Sequence, residues 1–190
     1  MARISGVKYL GIAEITGYTA GKPTYGAIQE LKQFISFSST KNFSETSWYS
    51  NDTVEETFKG VVDEDIEIVV GSLSGELKAK LAGSTYTSKG VLVEKSNDEQ
   101  KEFALIVVLS QLPSGTLNKV YYRCKLAVEG TEAETKTDSV TDSQVTITGK
   151  AIPLADGKMG AVIDSNDTRA DATVVSGWTT SVYDPDAAEE

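Results

Sequence analysis

The chain alternates apolar and polar residues in short runs, and this period of two predicts β-strands. Glycine, asparagine, aspartate and serine residues separate the runs and indicate turns, above all in residues 16–26, which we expect to be a loop. The pattern predicts strands over residues 5–15, 27–37, 61–70, 90–95, 103–110, 119–128 and 144–152. Residues 103–110, FALIVVLS, are apolar on both faces, so this strand should be central and buried on both sides.

The strand at residues 119–128 contains the only cysteine. Strict alternation places Cys124 on the same face as Val120 and Tyr122, and Tyr121 on the opposite face. No neighbouring group would lower the pKa of this thiol, so we expect Cys124 to be a small core residue and not a reactive one.

Residues 72–83, SLSGELKAKLAG, change to a helical period. The apolar stripe consists of three leucines spaced four residues apart, namely Leu73, Leu77 and Leu81. Ser74 can cap the amino terminus of this helix and Gly83 can end it. The sequence therefore predicts one short amphipathic helix that packs on a sheet.

A long polar segment, rich in serine and threonine, occupies residues 38–60. We predict a loop here, and a loop of about 20 residues inside a compact domain is usually functional or disordered. A disordered linker would contain few aromatic residues, whereas this segment contains Phe43, Trp48, Tyr49 and Phe58. It could be the tip of a long hairpin that folds onto its own domain, or it could be an arm that buries its aromatic side chains against another subunit.

The strand that follows, VVDEDIEIVV at residues 61–70, carries four carboxylates. A period of two puts Asp63, Asp65 and Glu67 in a line on one face, about 6.6 Å apart per step. The opposite face should contain Val62, Glu64, Ile66, Ile68 and Val70. A solvated sheet face is the simplest interpretation. However, ordinary surfaces mix charges of both signs, so a row of one sign is also typical of a wall that repels a polyanion.

Catalytic and metal-binding interpretations of the acidic residues are weaker. The DxDx(T/V) phosphotransfer motif ends a buried strand, whereas this strand continues to Val70. Carboxylates in a line make a poor cation cage, and residues 164–171 have Arg169 where a calcium loop needs glycine. A carboxylate pair for glycoside hydrolysis stays open as an alternative. We expect no enzymatic activity, no catalytic residue, no cofactor and no metal site.

Composition narrows the function classes. Acidic residues outnumber basic ones 28 to 18, giving a formal net charge of −10, which disfavours binding to nucleic acid or to anionic membranes. The chain contains no histidine, which excludes Ser-His-Asp and Cys-His catalytic systems. No run reaches the roughly 20 apolar residues of a membrane span, and the first residues lack a signal-peptide core. Together with the single cysteine, this favours folding in a reducing cytoplasm.

A chain of 190 residues fits one domain with its own core. We expect an antiparallel β-sandwich or barrel over residues 1–183, with one flanking helix, and a flexible tail over residues 184–190. The acidic segment at residues 129–142 should be a loop or hairpin.

In their order along the chain, these segments resemble the major tail proteins of long-tailed siphophages, which are the subunits of the tail tube. The resemblance rests on MARISGVKYLGIAEI, TYGAIQEL, the insert ending in ETFKG, VVDEDIEIVV, SGELKAKLAG, SKGVLVEKSND, FALIVVLS, NKVYYRCKL, VTITGKAIP and GWTTSVY. No single segment is specific, but the ordered set extends through nearly the whole chain.

This resemblance implies a structural virion protein without enzymatic activity or cofactor. Six subunits would form a ring whose inner strands join into one continuous barrel, and stacked rings would form a hollow tube for DNA. Residues 38–60 would contact a neighbouring subunit or ring through Phe43, Trp48, Tyr49 and Phe58. Asp63, Asp65 and Glu67 would face an electronegative lumen.

The same resemblance implies the partners and the location of the chain. The partners would be further copies of the chain, a tape measure protein, and tail-tip and terminator proteins. DNA would pass without specific binding, and no membrane would be involved. The protein would be made in the host cytoplasm and would reside in the virion tail. The alternatives are a carbohydrate- or protein-binding β-sandwich module, and a tube protein of a contractile tail or of a secretion-like machine.

Overall fold

The computed structural model describes residues 2–50, 53–129 and 144–186, with the side chains of residues 46, 48–50 and 53–58 outside the description. The strands are β1 (Arg3–Thr19), β2 (Lys22–Tyr25), β3 (Gln29–Glu30), β4 (Phe34–Ser50), β5 (Thr53–Val70), β6 (Thr85–Tyr86), β7 (Leu92–Val93), β8 (Glu102–Leu112), β9 (Thr116–Val128), β10 (Val145–Ala151) and β11 (Gly160–Asp164). The helices are α1 (Gly75–Ala82) and α2 (Ala172–Gly177). The predicted loop or hairpin at residues 129–142 lies, after its first residue, outside the described part of the chain.

In the described part of the chain, nine strands form one antiparallel sheet in the order β2-β1-β8-β9-β10-β5-β4, with β3 added to β1 and β11 added to β9. The strands β6 and β7 form a separate pair. Within the described residues the path of the sheet is open, because it begins at β2 and ends at β4. The predicted fold, mainly antiparallel β with a sandwich-like core and a flanking helix, is confirmed.

The sheet divides at β9 and thereby buries two apolar clusters. One half of β9 pairs with β10 and the other half pairs with β11. The first core contains Leu10, Ile12, Leu31, Ile66, Ile68, Val70, Leu81, Phe103, Leu105, Val107, Tyr121, Cys124, Leu126, Ile147 and Ala151. The second core contains Ile106, Val108, Val120, Tyr122 and Trp178. Strand β8 supplies side chains to both cores, so the prediction of a doubly buried central strand is confirmed.

A β-bulge in β9 changes which side chains share a face. Phe103 pairs with Cys124 but Leu105 pairs with Tyr121, so β9 holds one extra residue between the two pairs. Consequently Tyr121 joins Cys124 in the first core, while Tyr122 points into the second. The prediction that Cys124 and Tyr122 share a face is wrong, whereas the burial of Cys124 is confirmed, and burial raises the pKa of its thiol.

Helix α1 is the predicted amphipathic helix. The Ser74 hydroxyl accepts a hydrogen bond from the Leu77 N–H at 3.3 Å, and Leu81 is fully buried in the first core. Gly83 ends the helix at φ 75°, in the left-handed region that glycine tolerates best. A Cβ atom at Gly83 would lie 2.0 Å from the Glu99 carbonyl oxygen, so glycine is also required there by space.

The second helix, α2, corrects the prediction of a single helix. It spans Ala172–Gly177, where no element was predicted, and the Asp171 carboxylate caps it by accepting from the Thr173 N–H at 2.6 Å. After it, Trp178 is buried in the second core and stacks on Tyr183, with ring centroids 5.3 Å apart. No helix of the described residues is both long enough and apolar enough to cross a membrane.

The chain end and the first loop also differ from prediction. Asp186 forms ion pairs with Lys22 at 2.6 Å and Lys158 at 2.8 Å, so residues 184–186 of the predicted flexible tail lie against the body. Residues 187–190 lie outside the description. The predicted loop at residues 16–26 contains a tight hairpin between β1 and β2.

Candidate assembly and lumen surfaces

Most of the predicted loop at residues 38–60 belongs to a long β-hairpin formed by β4 and β5. The two strands pair from Phe34 and Val70 to Ser50 and Thr53. Strand β5 also pairs with β10, but this pairing ends where Glu64 meets Ala151. Beyond that point, residues 43–50 and 53–61 pair only with one another within the described chain, and we call them the ribbon.

The prediction of a loop is therefore wrong for the described part of residues 38–60. Neither buried core contains a described side chain of the ribbon, so its sequence does not need the apolar face that marks a strand. Serine and threonine, which are frequent in this segment, are compatible with exposed strands as well as with loops.

The four predicted contact residues all lie in the ribbon. Phe43 is 52% exposed, and the Lys59 Nζ atom lies 4.9 Å from its ring centroid. The backbones of Trp48, Tyr49 and Phe58 belong to β4 and β5, and their side chains are outside the description. The structure thus places one aromatic contact candidate on the surface at the root of the ribbon.

Two valines beside Phe43 extend this apolar surface, and sequence reasoning missed them. Val61 pairs directly with Phe43, and a register shift leaves Val62 as an extra residue of β5. Val61 is 39% exposed and Val62 is 50% exposed. Alternation predicted Val62 on the core face, but the first core ends before it because β10 ends at Ala151.

The three predicted lumen acids do share one face of β5. The intervening residues Glu64 and Ile66, and Ile68 after them, are buried, so the acids project from the opposite side of the sheet. Asp65 and Glu67 are exposed, and Asp63 is half-buried. No group of three or more acidic or cysteine side chains in the described ranges is arranged to hold a metal ion.

Hydrogen bonds connect two of these acids to neighbouring strands. The Asn42 amide donates to Asp63 at 2.6 Å and to Asp65 at 2.8 Å. The Lys150 Nζ atom lies 3.2 Å from a carboxylate oxygen of each aspartate. The Asn42 and Lys150 contacts hold the pKa of Asp65 below its usual value, and both aspartates raise the pKa of Lys150.

The surface around these acids carries both signs of charge. Lys125 lies opposite Lys150 in the pairing of β9 with β10. Next to it, Glu102 forms an ion pair with Arg123 at 2.6 Å and accepts a hydrogen bond from the Tyr18 hydroxyl at 2.7 Å. We call this surface the polar face, and its charged residues are Asp63, Asp65, Glu67, Glu102, Arg123, Lys125 and Lys150. Four acids and three bases leave a small negative surplus, so the expectation of a row of one sign holds along β5 but not across the sheet.

The fourth carboxylate of the acidic run, Glu64, has a different environment. It is only 4% exposed and points into the first core. Its Oε1 atom accepts hydrogen bonds from Lys119 Nζ at 2.7 Å and from the Tyr121 hydroxyl at 2.6 Å. Lys119 also lies 4.2 Å from the Tyr121 ring centroid. Burial alone would raise the pKa of Glu64, but hydrogen bonds from Lys119, Tyr121 and Ser39 outweigh it and lower the pKa.

Replacing Glu64 with glutamine is expected to lower the free energy of unfolding by about 2 kcal/mol at neutral pH, because the buried carboxylate loses its charge-assisted hydrogen bonds from Lys119 and Tyr121. The folded-state pKa of Glu64 lies below its ordinary 4.5. Its ionic contribution is therefore complete above pH 4.5 and is lost as the pH falls through the lowered value. Urea unfolding at several pH values should show the difference between the wild type and Glu64→Gln shrinking below pH 4.5.

The matched control for this measurement is Glu67→Gln, on the same strand and on the exposed face. We expect it to change the free energy of unfolding by less than about 0.5 kcal/mol. An equal loss in both variants would contradict a specific role of the buried ion pair.

Comparison with known proteins gives a match to a family model and a distant similarity to solved structures. The family model described as phage tail tube protein matches residues 11–177. A solved structure, the cryo-EM structure of the anti-feeding prophage cap (AFP tube terminating cap), is similar with a TM-score of 0.48 and 8% sequence identity. The similarity covers 82% of this chain and 88% of the cap chain. No curated protein sequence matches.

Proposed function

Because the chain belongs to the phage tail tube protein family, we propose that it is the major tail tube subunit of a long-tailed bacteriophage with a non-contractile tail. In this role, hexameric rings stack into a hollow tube through which the genome passes to the host. The role is structural and requires neither a catalytic residue nor a cofactor. The protein is made in the host cytoplasm and resides in the virion tail.

The ribbon is the observation that carries this proposal. It extends beyond the last residue of β10 and is paired only with itself in the described chain. Its root exposes Phe43, Val61 and Val62, and a contiguous exposed apolar patch is typical of a protein contact surface. A contact between the ribbon of one subunit and a different surface of the next is heterologous, and repetition of such a contact builds a filament. Phe43, Trp48, Tyr49 and Phe58 are the proposed contact residues.

The polar face also supports the proposed tail tube role, because its charge is that expected of the wall of a DNA channel. Asp63, Asp65 and Glu67 are the proposed lumen residues, and Lys150 neutralises part of their charge. The wall would be hydrophilic with a small negative surplus, so it would not hold DNA through phosphate contacts as a basic wall would. The open sheet also leaves edges at β2 and β4, which pairing between subunits in a ring would close into a continuous inner barrel.

The proposed partners are further copies of the chain, the tape measure protein inside the tube, and the tail-tip and terminator proteins at its ends. Duplex DNA is a transient occupant of the lumen and has no specific site.

Analytical ultracentrifugation over a wide range of concentration tests the self-association. We expect a monomer that converts to ring-sized and larger species as the concentration rises or when a tail-tip initiator is added. A species that stays monomeric under both conditions would contradict the proposal.

A further inference from the structure

The ion pair of the buried Glu64 and the half-buried Lys119 lies at the place where the ribbon leaves the sheet. Ala151 is the last residue of β10, and it pairs with Glu64. From Asp63 back towards Thr53, β5 pairs only with β4 in the described chain. Strand β9 lies beyond β10 in the sheet, and its residues Lys119 and Tyr121 reach Glu64 past the end of β10. The carboxylate therefore connects the root of the ribbon to a strand with which β5 shares no backbone pairing.

The hydrogen bonds to Glu64 depend on the angle between the strands, whereas the apolar contacts around them do not. The Glu64 Oε1 atom accepts from two donors on β9, at 2.7 Å and 2.6 Å, and Ser39 on β4 donates to the same carboxylate. Charge-assisted hydrogen bonds of this length are sensitive to angle, whereas apolar side chains tolerate small rotations. Three strands thus meet at one carboxylate, and this restrains the angle between the ribbon and the body.

The length of the ribbon makes this angle important. Eight residues of β4, Phe43–Ser50, extend about 26 Å at a rise of about 3.3 Å per residue. A tilt of about 20° at the root would move the far end by about 9 Å at that length. A displacement of this size exceeds the spacing between neighbouring strands, so it would misplace every contact made by the end of the ribbon.

We propose that Glu64 and Lys119 are positioning residues that fix the direction of the ribbon relative to the body. The inference about direction concerns the single subunit. Its consequence, that the ribbon is held ready for contact with another copy, rests on the proposed function.

Pulsed electron–electron spin resonance on the dilute, monomeric full chain tests the direction of the ribbon. One spin label is placed at Glu45→Cys on the ribbon and one at Ser88→Cys on the body, both exposed positions. Cys124 is fully buried and should not react with the label. We expect one narrow distance distribution for the otherwise wild-type chain. Glu64→Gln and Lys119→Met should broaden it at least twofold, whereas Lys119→Arg and the exposed control Glu67→Gln should keep it narrow.

A double variant, Glu64→Leu with Lys119→Leu, separates positioning from stability. Apolar replacement of both partners of a buried ion pair commonly restores or improves stability. We expect the double variant to melt close to the wild-type temperature and still to show the broad distribution, because leucine supplies packing without direction. A narrow distribution in the double variant, or in a folded Glu64→Gln variant, would overturn the inference. Failure of the wild type to assemble would contradict the proposed function and would leave these distances unaffected.

Discussion

Replacing residues 44–60 with Asn-Gly is expected to abolish assembly of the full chain and to leave the body folded. Phe43 and Val61 are direct partners in the hairpin, so a two-residue Asn-Gly turn can join them. The deleted residues pair only with one another in the described chain, and shortening such a hairpin should change the free energy of unfolding by about 1 kcal/mol or less. Sedimentation should show only monomers at concentrations where the wild type forms rings or longer species.

Two point variants refine this experiment without changing the length of the ribbon. Trp48→Ser with Tyr49→Ser removes two proposed contact residues and should also block assembly, because aromatic residues supply much of the energy of protein interfaces. Glu55→Ser with Glu56→Ser, on the other strand of the ribbon, is the matched control and should assemble. Tubes formed by the truncated chain would contradict the role assigned to the ribbon.

Changing Asp63, Asp65 and Glu67 together to lysine is expected to make assembled tubes retain duplex DNA at low salt. The small negative surplus of the polar face would become a strong positive one, because Lys125, Lys150 and Arg123 lie on the same face. Duplex DNA carries about one charge per 1.7 Å of its axis, so a basic wall would hold it through many phosphate contacts. Screening limits these interactions to about 8–10 Å at physiological salt, so retention should fall as salt is added.

The readout is the amount of short duplex DNA that stays protected from nuclease after assembly in its presence. A chain with Glu76, Glu94 and Glu99 changed to lysine has the same net charge, with the new lysines outside the polar face at exposed positions. This control should not protect DNA. Equal protection by both variants, or none by either, would contradict the assignment of the polar face to the lumen. In virions, the lumen variant should also eject its genome poorly.

Features that depend on local sequence were predictable. Helix α1 was recognised because its cap, its leucine stripe and its terminal glycine all lie within residues 72–83. Strand β8 was recognised because a run that is apolar on both faces requires burial on both sides. Alternation along residues 61–70 also predicts the two faces of β5, with Asp63, Asp65 and Glu67 on one and Ile66 and Ile68 on the other.

Features that depend on strand register were not predictable. The bulge in β9 puts Cys124 on the same side as Tyr121 instead of the side of Tyr122, and strict alternation contains no signal for it. Neither core includes a described side chain of the ribbon, so its strands need no apolar face and resemble a polar loop in composition. Helix α2 has only six residues, which is too short for a helical period to emerge.

Contacts at the candidate surfaces were likewise not predictable where they join residues that are distant in sequence. Lys150 is distant in sequence from Asp63 and Asp65, and only the pairing of β10 with β5 brings it between them. Alternation correctly predicts Glu64 on the core face of β5. Its partner Lys119, however, lies on β9, 55 residues away in sequence. A carboxylate at a core position predicts that a partner exists, because a buried charge requires one. It does not identify the partner.

Electron microscopy of the purified full chain at high concentration is the most direct test of a tail tube role. We expect sixfold rings and hollow tubes of constant diameter, with the ribbon spanning the boundary between stacked rings and Asp63, Asp65 and Glu67 on the inner wall. Particles that stay monomeric, or tubes in which these three side chains lie on the outer surface, would contradict it.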